Sequence, residues 1–244
     1  MRQTRYQLIA DDLRARLGTG DFGAGRLLPS EAELSGEYAA SRVTVRRALE
    51  LLRDEGLVDS RQGFGWFAAT DPVRQSLGRL GTIERQLADA GVHSERRVLD
   101  FRFLASPPAR VQEVLGDVSV LRVRRLNLAD GAPFAVVTVW CPEEYGAELS
   151  RADVARTPFY ELIDVPLGSA TQTIGAAAAS AHDAERLGIP EGSPVLVCER
   201  VTRSAHDVPV LVSAHVFPAH LTEFVVELTH ADVSMAPSGL RLVE

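Results

Sequence analysis

The chain has no lysine: all 26 of its basic residues are arginine. Chemistry that holds pyridoxal phosphate as a lysine Schiff base is thereby excluded. Cysteine is almost absent too, with Cys141 and Cys198 alone among 244 residues. Two cysteines build no disulfide framework, and neither sits in a CxxC metal or redox spacing, so both are expected in the core or on strands. No apolar run approaches the ~20 residues that a membrane-spanning helix requires. The opening "MRQTRYQLIADDLRARL" is charged and amphipathic and lacks an apolar signal-peptide core, which makes a cytoplasmic location the expectation. A GxSxG elbow and an HExxH motif are missing as well, and His182, His206, His215, His220 and His230 show no metal-site spacing. Neither catalysis, nor a metal, nor a cofactor is expected. The chain shows no internal repeat and no low-complexity segment.

What is present is enough for two domains, each able to bury a core. Composition is ordinary for a globular protein, 45% hydrophobic and 24% charged, with 19 Gly and 13 Pro to mark turns and a linker. Charge is unevenly spread. Residues 1–70 hold 10 Arg and 10 acids, whereas residues 71–244 hold 16 Arg and 23 acids, so the whole net charge of -7 lies in the second part.

From Tyr6 to Leu17, Leu8, Ile9, Leu13 and Leu17 recur at helical spacing, and "GTGDFGAGRLLP" ends the pattern. "PSEAELSGEY" carries Ser30 with Glu33 three residues on, the signature of a capping box at the start of a short second helix. After the tight "AAS" connection, a third helix is predicted from about Ser41 to Glu55, stopped by Gly56. "LVDSRQGFGWFAA" then alternates apolar and polar residues around two glycines, like a hairpin. Three helices followed by a hairpin read as a winged helix-turn-helix over 1–70. Residues 71–81 are the expected linker, and 82–244 the second domain. There a helix over "TIERQLADAG" precedes five Val-rich strands, "RRVLDFRFL", "VSVLRVRRLNLA", "PFAVVTVWC", "SPVLVCERVTR" and "VPVLVSAHVF", with short helices between them. The prediction is an α+β domain around a largely antiparallel sheet.

The third helix, "SRVTVRRALELL", carries three arginines and one acid inside an acidic chain. On a helical wheel Val45, Ala48, Leu49 and Leu52 form an apolar stripe, and Arg42, Arg46 and Arg47 fall on the opposite arc. Ser41 and Thr44 add hydroxyls at the N-terminal end, where a recognition helix meets bases and phosphates. A solvated arginine face is the plain alternative. The capped helix, the turn and the hairpin around it favour DNA.

Together "LPSEAEL", "SRVTVRRALELLRDEGLV" and "RQGFGWF" resemble the winged helix-turn-helix of the GntR family of bacterial transcription regulators. The resemblance implies operator contacts from Ser41, Arg42, Thr44 and Arg46. It also implies a phosphate contact from Arg61 and a minor-groove reach for Gln62 and Gly63. Arg47, further round the arc, is grouped with them, although solvent or backbone are its other expected neighbours. Among GntR branches an all-helical effector domain would need continuous 3.6-residue periodicity, and an aminotransferase-like one would need far more chain and a lysine. "RRLNLADGAPFAVVTVWCP", "FYELI" and "DAERLGIPEGSPVLVCERVTRSAHDVPVLVS" are similar instead to the histidine-utilisation-repressor (HutC) branch. Its UTRA effector domain resembles chorismate lyase in fold.

That resemblance implies a pocket for a small, often anionic metabolite. Thr82, with Ile83 after it, begins a helix whose first N–H groups suit an anion, though Thr82 also reads as a plain cap. Arg125 shares a strand face with Leu121, Val123 and Asn127, where a charge needs a partner; an effector anion and a buried ion pair both meet that need. Where amino-sugar-phosphate sensors of this branch carry a second arginine, two glutamates and a tyrosine, this chain has Asn127, Val137, Leu211 and Phe217. Tyr160 matches a hydrogen-bonding position, and His215 lies between Ser213 and Phe217 on one strand face. The expected effector is thus a compact anion such as phosphate, sulfate or a phosphonate, a phosphosugar, or a partly apolar acid. The expected partners are double-stranded operator DNA, that effector, and a second copy joined through the second domains. A lyase-like enzyme fused to a DNA-binding domain and an architectural DNA-binding protein are the competing readings.

Overall fold

Ser30 and Glu33 form the expected capping box: the Ser30 hydroxyl accepts from the Glu33 N–H at 3.2 Å, and the Glu33 carboxylate accepts from the Ser30 N–H at 2.7 Å. The computed structural model describes residues 4–22, 26–61, 64–69, 73–76, 87 and 92–226. Three helices open the chain: α1 (Arg5–Thr19), α2 (Glu31–Glu37) and α3 (Arg42–Asp54). The short turn between α2 and α3 places Ala39 at φ +46°, a left-handed conformation unusual for a residue with a Cβ. Val45, Ala48, Leu49 and Leu52 are fully buried, packed with Ile9, Leu13 and Leu34. Each such leucine contributes ~1.5–3 kcal/mol relative to exposure, and this packing fixes which arc of α3 faces outward. α3 stops where Gly56, at φ +74°, lets its own N–H and that of Leu57 reach back to Arg53 and Leu52.

The hairpin follows as β1 (Val58–Arg61) and β2 (Gly65–Ala68), antiparallel. A third piece joins it, because the Leu28 N–H donates to Trp66 and the Ala68 N–H to Arg26. Residues 73–76, inside the expected linker, form β3 (Val73–Ser76) and pair in parallel with β10 (Thr222–Val225). A strand made by so distant a partner leaves no local period to read. The helix expected from Thr82 lies outside the described residues, as do Gln62, Gly63, Thr82 and Ile83.

The second region is built on six antiparallel strands: β4 (Ser94–Leu104), β5 (Val120–Ala129), β6 (Ala132–Pro142), β7 (Leu167–Ala178), β8 (Pro194–Ser204) and β9 (Pro209–Pro218), in the order β4-β5-β6-β9-β8-β7. Five were expected; β7 was not. Between them lie α4 (Ala109–Leu115), α5 (Glu143–Gly146), α6 (Arg151–Arg156), α7 (Phe159–Leu162) and α8 (Ala181–Leu187). Asp130 and Gly131, both at positive φ, make the tight turn that "DG" signals between β5 and β6. Strand alternation divides the sheet's side chains. Leu121, Val123, Val137, Val139, Leu211 and Phe217 pack with Val154, Phe159 and Ile163 of α6 and α7 and the turn beyond them. The opposite face carries α4 and α8, through Val111 on one side and Ala184 and Leu187 on the other. The α+β expectation holds.

The hairpin is docked on this second region. Phe64 is buried beside Leu126, Leu128, Val136 and Leu187. His220, 2% exposed, lies with its ring centroid 4.1 Å from that of Phe64 and 5.0 Å from that of Phe67.

Candidate nucleic-acid interface and sensor face

Ser41 is the N-cap of α3: its hydroxyl accepts from the Thr44 N–H at 3.2 Å and lies 2.9 Å from the Thr44 hydroxyl. With the apolar stripe buried, Ser41, Arg42, Arg46 and Arg47 are exposed and Thr44 partly so. The structure therefore brings five of the expected DNA-contacting residues onto one arc. At its centre stands Val43, 77% exposed, a residue the sequence analysis passed over. A valine on the polar arc of the wheel was the available signal; such a side chain suits the methyl group of thymine.

Arg46 is pre-positioned. Its Nε and Nη2 donate to the two oxygens of Glu31 at 2.8 and 2.7 Å, and the Trp66 indole donates to the same carboxylate at 3.2 Å. Hydrogen bonding from Arg46 holds the Glu31 carboxyl below its usual value of 4.5, with help from Trp66 and the nearby charge of Arg42. Arg47 lies over the Tyr6 ring, 4.5 Å from its centroid, so its head is tethered to α1. Arg5 of α1 donates to the carbonyls of Tyr38 and Ala39 and braces the turn. Arg61 stands apart from the arc. Its guanidinium donates to the Ala219 carbonyl at 3.0 Å, on the sensor side of the docked hairpin, and is engaged there in this conformation.

On the sheet, Arg125 faces Val137, Val137 faces His215, and His215 faces Cys198 along one row across four strands. Strands ~4.8 Å apart put Arg125 and His215 ~10 Å from each other at the backbone. Arg125 is 5% exposed and donates to the Val154 carbonyl of α6 at 3.3 Å. Asn127, two residues along, is buried as well. His215 hydrogen-bonds through Nε2 with the Ser213 hydroxyl at 3.0 Å and stacks on Phe217, whose ring contacts Phe224 edge-on. Tyr160 of α7 joins this group indirectly. Its hydroxyl accepts from Arg200 at 3.1 Å, and Arg200 donates in turn to the Gln172 side chain at 2.7 Å.

Arg200 and Gln172 are the polar residues here that sequence reading missed. The alternation Cys198, Arg200, Thr202 carried the signal for Arg200, whereas Gln172 sits on the unforeseen β7. The neighbouring arginines behave differently: Arg122 and Arg124, on the other face, reach the carboxylates of Asp100 and Asp183 at 2.8 and 2.5 Å. Among the described residues, Arg200 hydrogen-bonds to the neutral groups of Gln172 and Tyr160. Burial pushes the Cys198 thiol, on the same strand, up to about 11, so it stays neutral. Among the described residues, no group of three His, Cys, Asp or Glu is placed to hold a metal ion, and no helix is long and apolar enough to cross a membrane.

Residues 5–68 match the model of "Bacterial regulatory proteins, gntR family", and residues 89–223 match that of the UTRA domain. The chain is 36% identical over 212 residues to the HTH-type transcriptional regulator Rv0792c of Mycobacterium tuberculosis, covering 84% of this chain and 78% of that protein. It is 29% identical over 204 residues to the HTH-type transcriptional repressor NagR of Bacillus subtilis, covering 81% and 83%. The crystal structure of PhnF from Mycobacterium smegmatis shares the fold, with a TM-score of 0.62 at 22% identity over 91% of this chain and all of that one.

Proposed function

Because this chain belongs to the GntR family of bacterial transcription regulators and carries the UTRA effector domain of that family, we propose that it is a repressor that binds a palindromic operator as a homodimer and is released by a small anion. The observation that carries this reading is the outward arc of Ser41, Arg42, Val43 and Arg46 on the second helix of a helix-turn-helix. Two copies place two such helices in successive major grooves, ~34–36 Å apart. The second domains join the copies. The protein works where the chromosome is, in the cytoplasm, and the sensor domain binds its ligand without turning it over.

The effector is of the phosphate, phosphonate, phosphosugar or carboxylate class. Arg125 neutralises it, and Asn127, Tyr160, His215 and Phe217 shape the remaining surface with Thr82 and Ile83. A sensor face with two arginines, and with Val137, Leu211 and Phe217 among its residues, favours a compact or partly apolar acid over an amino sugar. Binding releases DNA only if the effector prefers the DNA-incompetent arrangement, since equal affinity for both states shifts nothing.

Sequencing DNA captured with the full chain tests the first half of this reading: a palindromic site upstream of a defined operon is expected, and an absence of enriched sequence overturns it. The captured operon then supplies effector candidates for thermal-shift titration. A true effector at 100 times its Kd stabilises the protein by ~2.7 kcal/mol.

A further inference from the structure

Val43 is the most exposed large hydrophobic side chain among the described residues, at 77% against 53% for Leu8. It takes no part in the packing of its helix. The apolar stripe that seats α3 on α1 and α2 runs through Val45, Ala48, Leu49 and Leu52, and Val43 stands outside it, two residues after the Ser41 cap. Valine is also a poorer helix former than the straight-chain polar residues that suit an exposed position, because its branched Cβ loses χ1 freedom against the preceding turn. That restriction helps recognition. A helical valine keeps one strongly preferred χ1 rotamer, so its two methyl groups are fixed before a partner arrives and lose little freedom when it does.

The neighbours identify the partner. Arg42 adjoins Val43, and Arg46 and Arg47 lie one turn on, three and four residues away. Their charge suits a polyanion and opposes burial against an apolar protein face. The arc around Val43 is also braced, with Arg46 on Glu31, Arg47 over Tyr6, and the Ser41 hydroxyl beside that of Thr44. A rigid apolar group near the N-terminal end of a recognition helix stands where base edges are contacted. The major groove offers such a group one apolar counterpart, the C5-methyl of thymine.

We propose that Val43 determines operator specificity by reading the C5-methyl group of a thymine, through apolar contact and without a hydrogen bond. The assignment rests on the DNA-binding reading above and adds one base to it, together with the group on that base that is recognised.

The full-length wild type can select its own site from random-sequence DNA. Each thymine of the selected site is then replaced in turn by deoxyuridine, which differs only in lacking the methyl group. At one of these positions the replacement should weaken wild-type binding about fourfold at fixed salt, the worth of one methyl group returned to water. Val43→Ala should melt like wild type, its position being exposed, and should bind the thymine and deoxyuridine sites equally. A selection that enriches no sequence overturns the DNA-binding reading and this assignment with it. A selected site in which no thymine responds to loss of its methyl group overturns the Val43 assignment alone, as does a deoxyuridine penalty that persists in Val43→Ala.

Discussion

Arg46 of α3 and Glu31 of α2 are joined by two parallel hydrogen bonds, of 2.8 and 2.7 Å, and Glu31 also receives the indole N–H of Trp66 on β2. One carboxylate thus ties the recognition helix, the helix before it and the wing. The pair uses Nε and Nη2 of Arg46.

Arg46→Ala is accordingly expected to weaken operator binding by ~1–3 kcal/mol and to relax sequence preference at the position it reads. Titration of labelled operator at one fixed salt concentration checks this. Unchanged affinity would remove Arg46 from the interface.

The same carboxylate gives the winged domain a pH dependence of known sign. Its folded pKa is depressed, so its contribution is complete above the unfolded value near 4.5 and is lost as pH falls below that value through the lower folded one. Melting temperatures followed from pH 7 to pH 3 should fall more steeply for wild type than for Glu31→Gln. The two curves should separate only below about pH 4.5. Parallel curves would mean that the Arg46 bonds stabilise no more than an exposed ion pair does.

Arg125→Ala should bind operator like wild type and fail to be released by the effector, because it lies on the sheet and not on the arc. Operator titrations with and without the effector identified by thermal shift give the answer. Loss of DNA binding in this variant would contradict the division of labour between the two domains.

Phe64 carries much of the contact between the hairpin and the sensor domain, with His220 against its ring. Truncating a buried phenylalanine costs ~3–5 kcal/mol. Calorimetry should therefore show one cooperative transition for wild type and two resolved transitions for Phe64→Ala, the domains having lost their common melting. A single transition at lower temperature would show that other contacts suffice to couple them.

The winged domain was legible in sequence because its signals are local: Ser30 with Glu33, the 45, 48, 49, 52 stripe, and Gly56 each declare themselves within a few residues. Five strands of the sheet were legible because valine and leucine alternate along them. β7 was not, since an edge strand with both faces largely exposed needs no alternation, and "GSATQTIGAAA" reads as loop. β3 was not, because its pairing partner begins at Thr222. At the sensor site, Arg125, Asn127, His215 and Phe217 could be placed on one face from strand periodicity. The Tyr160, Arg200 and Gln172 chain needed three elements brought together, which no one-dimensional period records. The family resemblance implies a phosphate contact for Arg61, and its bond to the Ala219 carbonyl, 158 residues away, has no signal in the sequence.

The pairing of β3 with β10 makes the connection between reader and sensor quantised. A strand in a ladder cannot slide by a fraction of a residue, and a one-residue slip would turn its side chains to the wrong side; the smallest slip that restores them is two residues, ~6.6 Å. β10 follows β9, the strand of His215 and Phe217, so a displacement of β9 reaches β3 only through a ladder that keeps its register. Such a stitch holds one register through small displacements and changes only in whole two-residue steps.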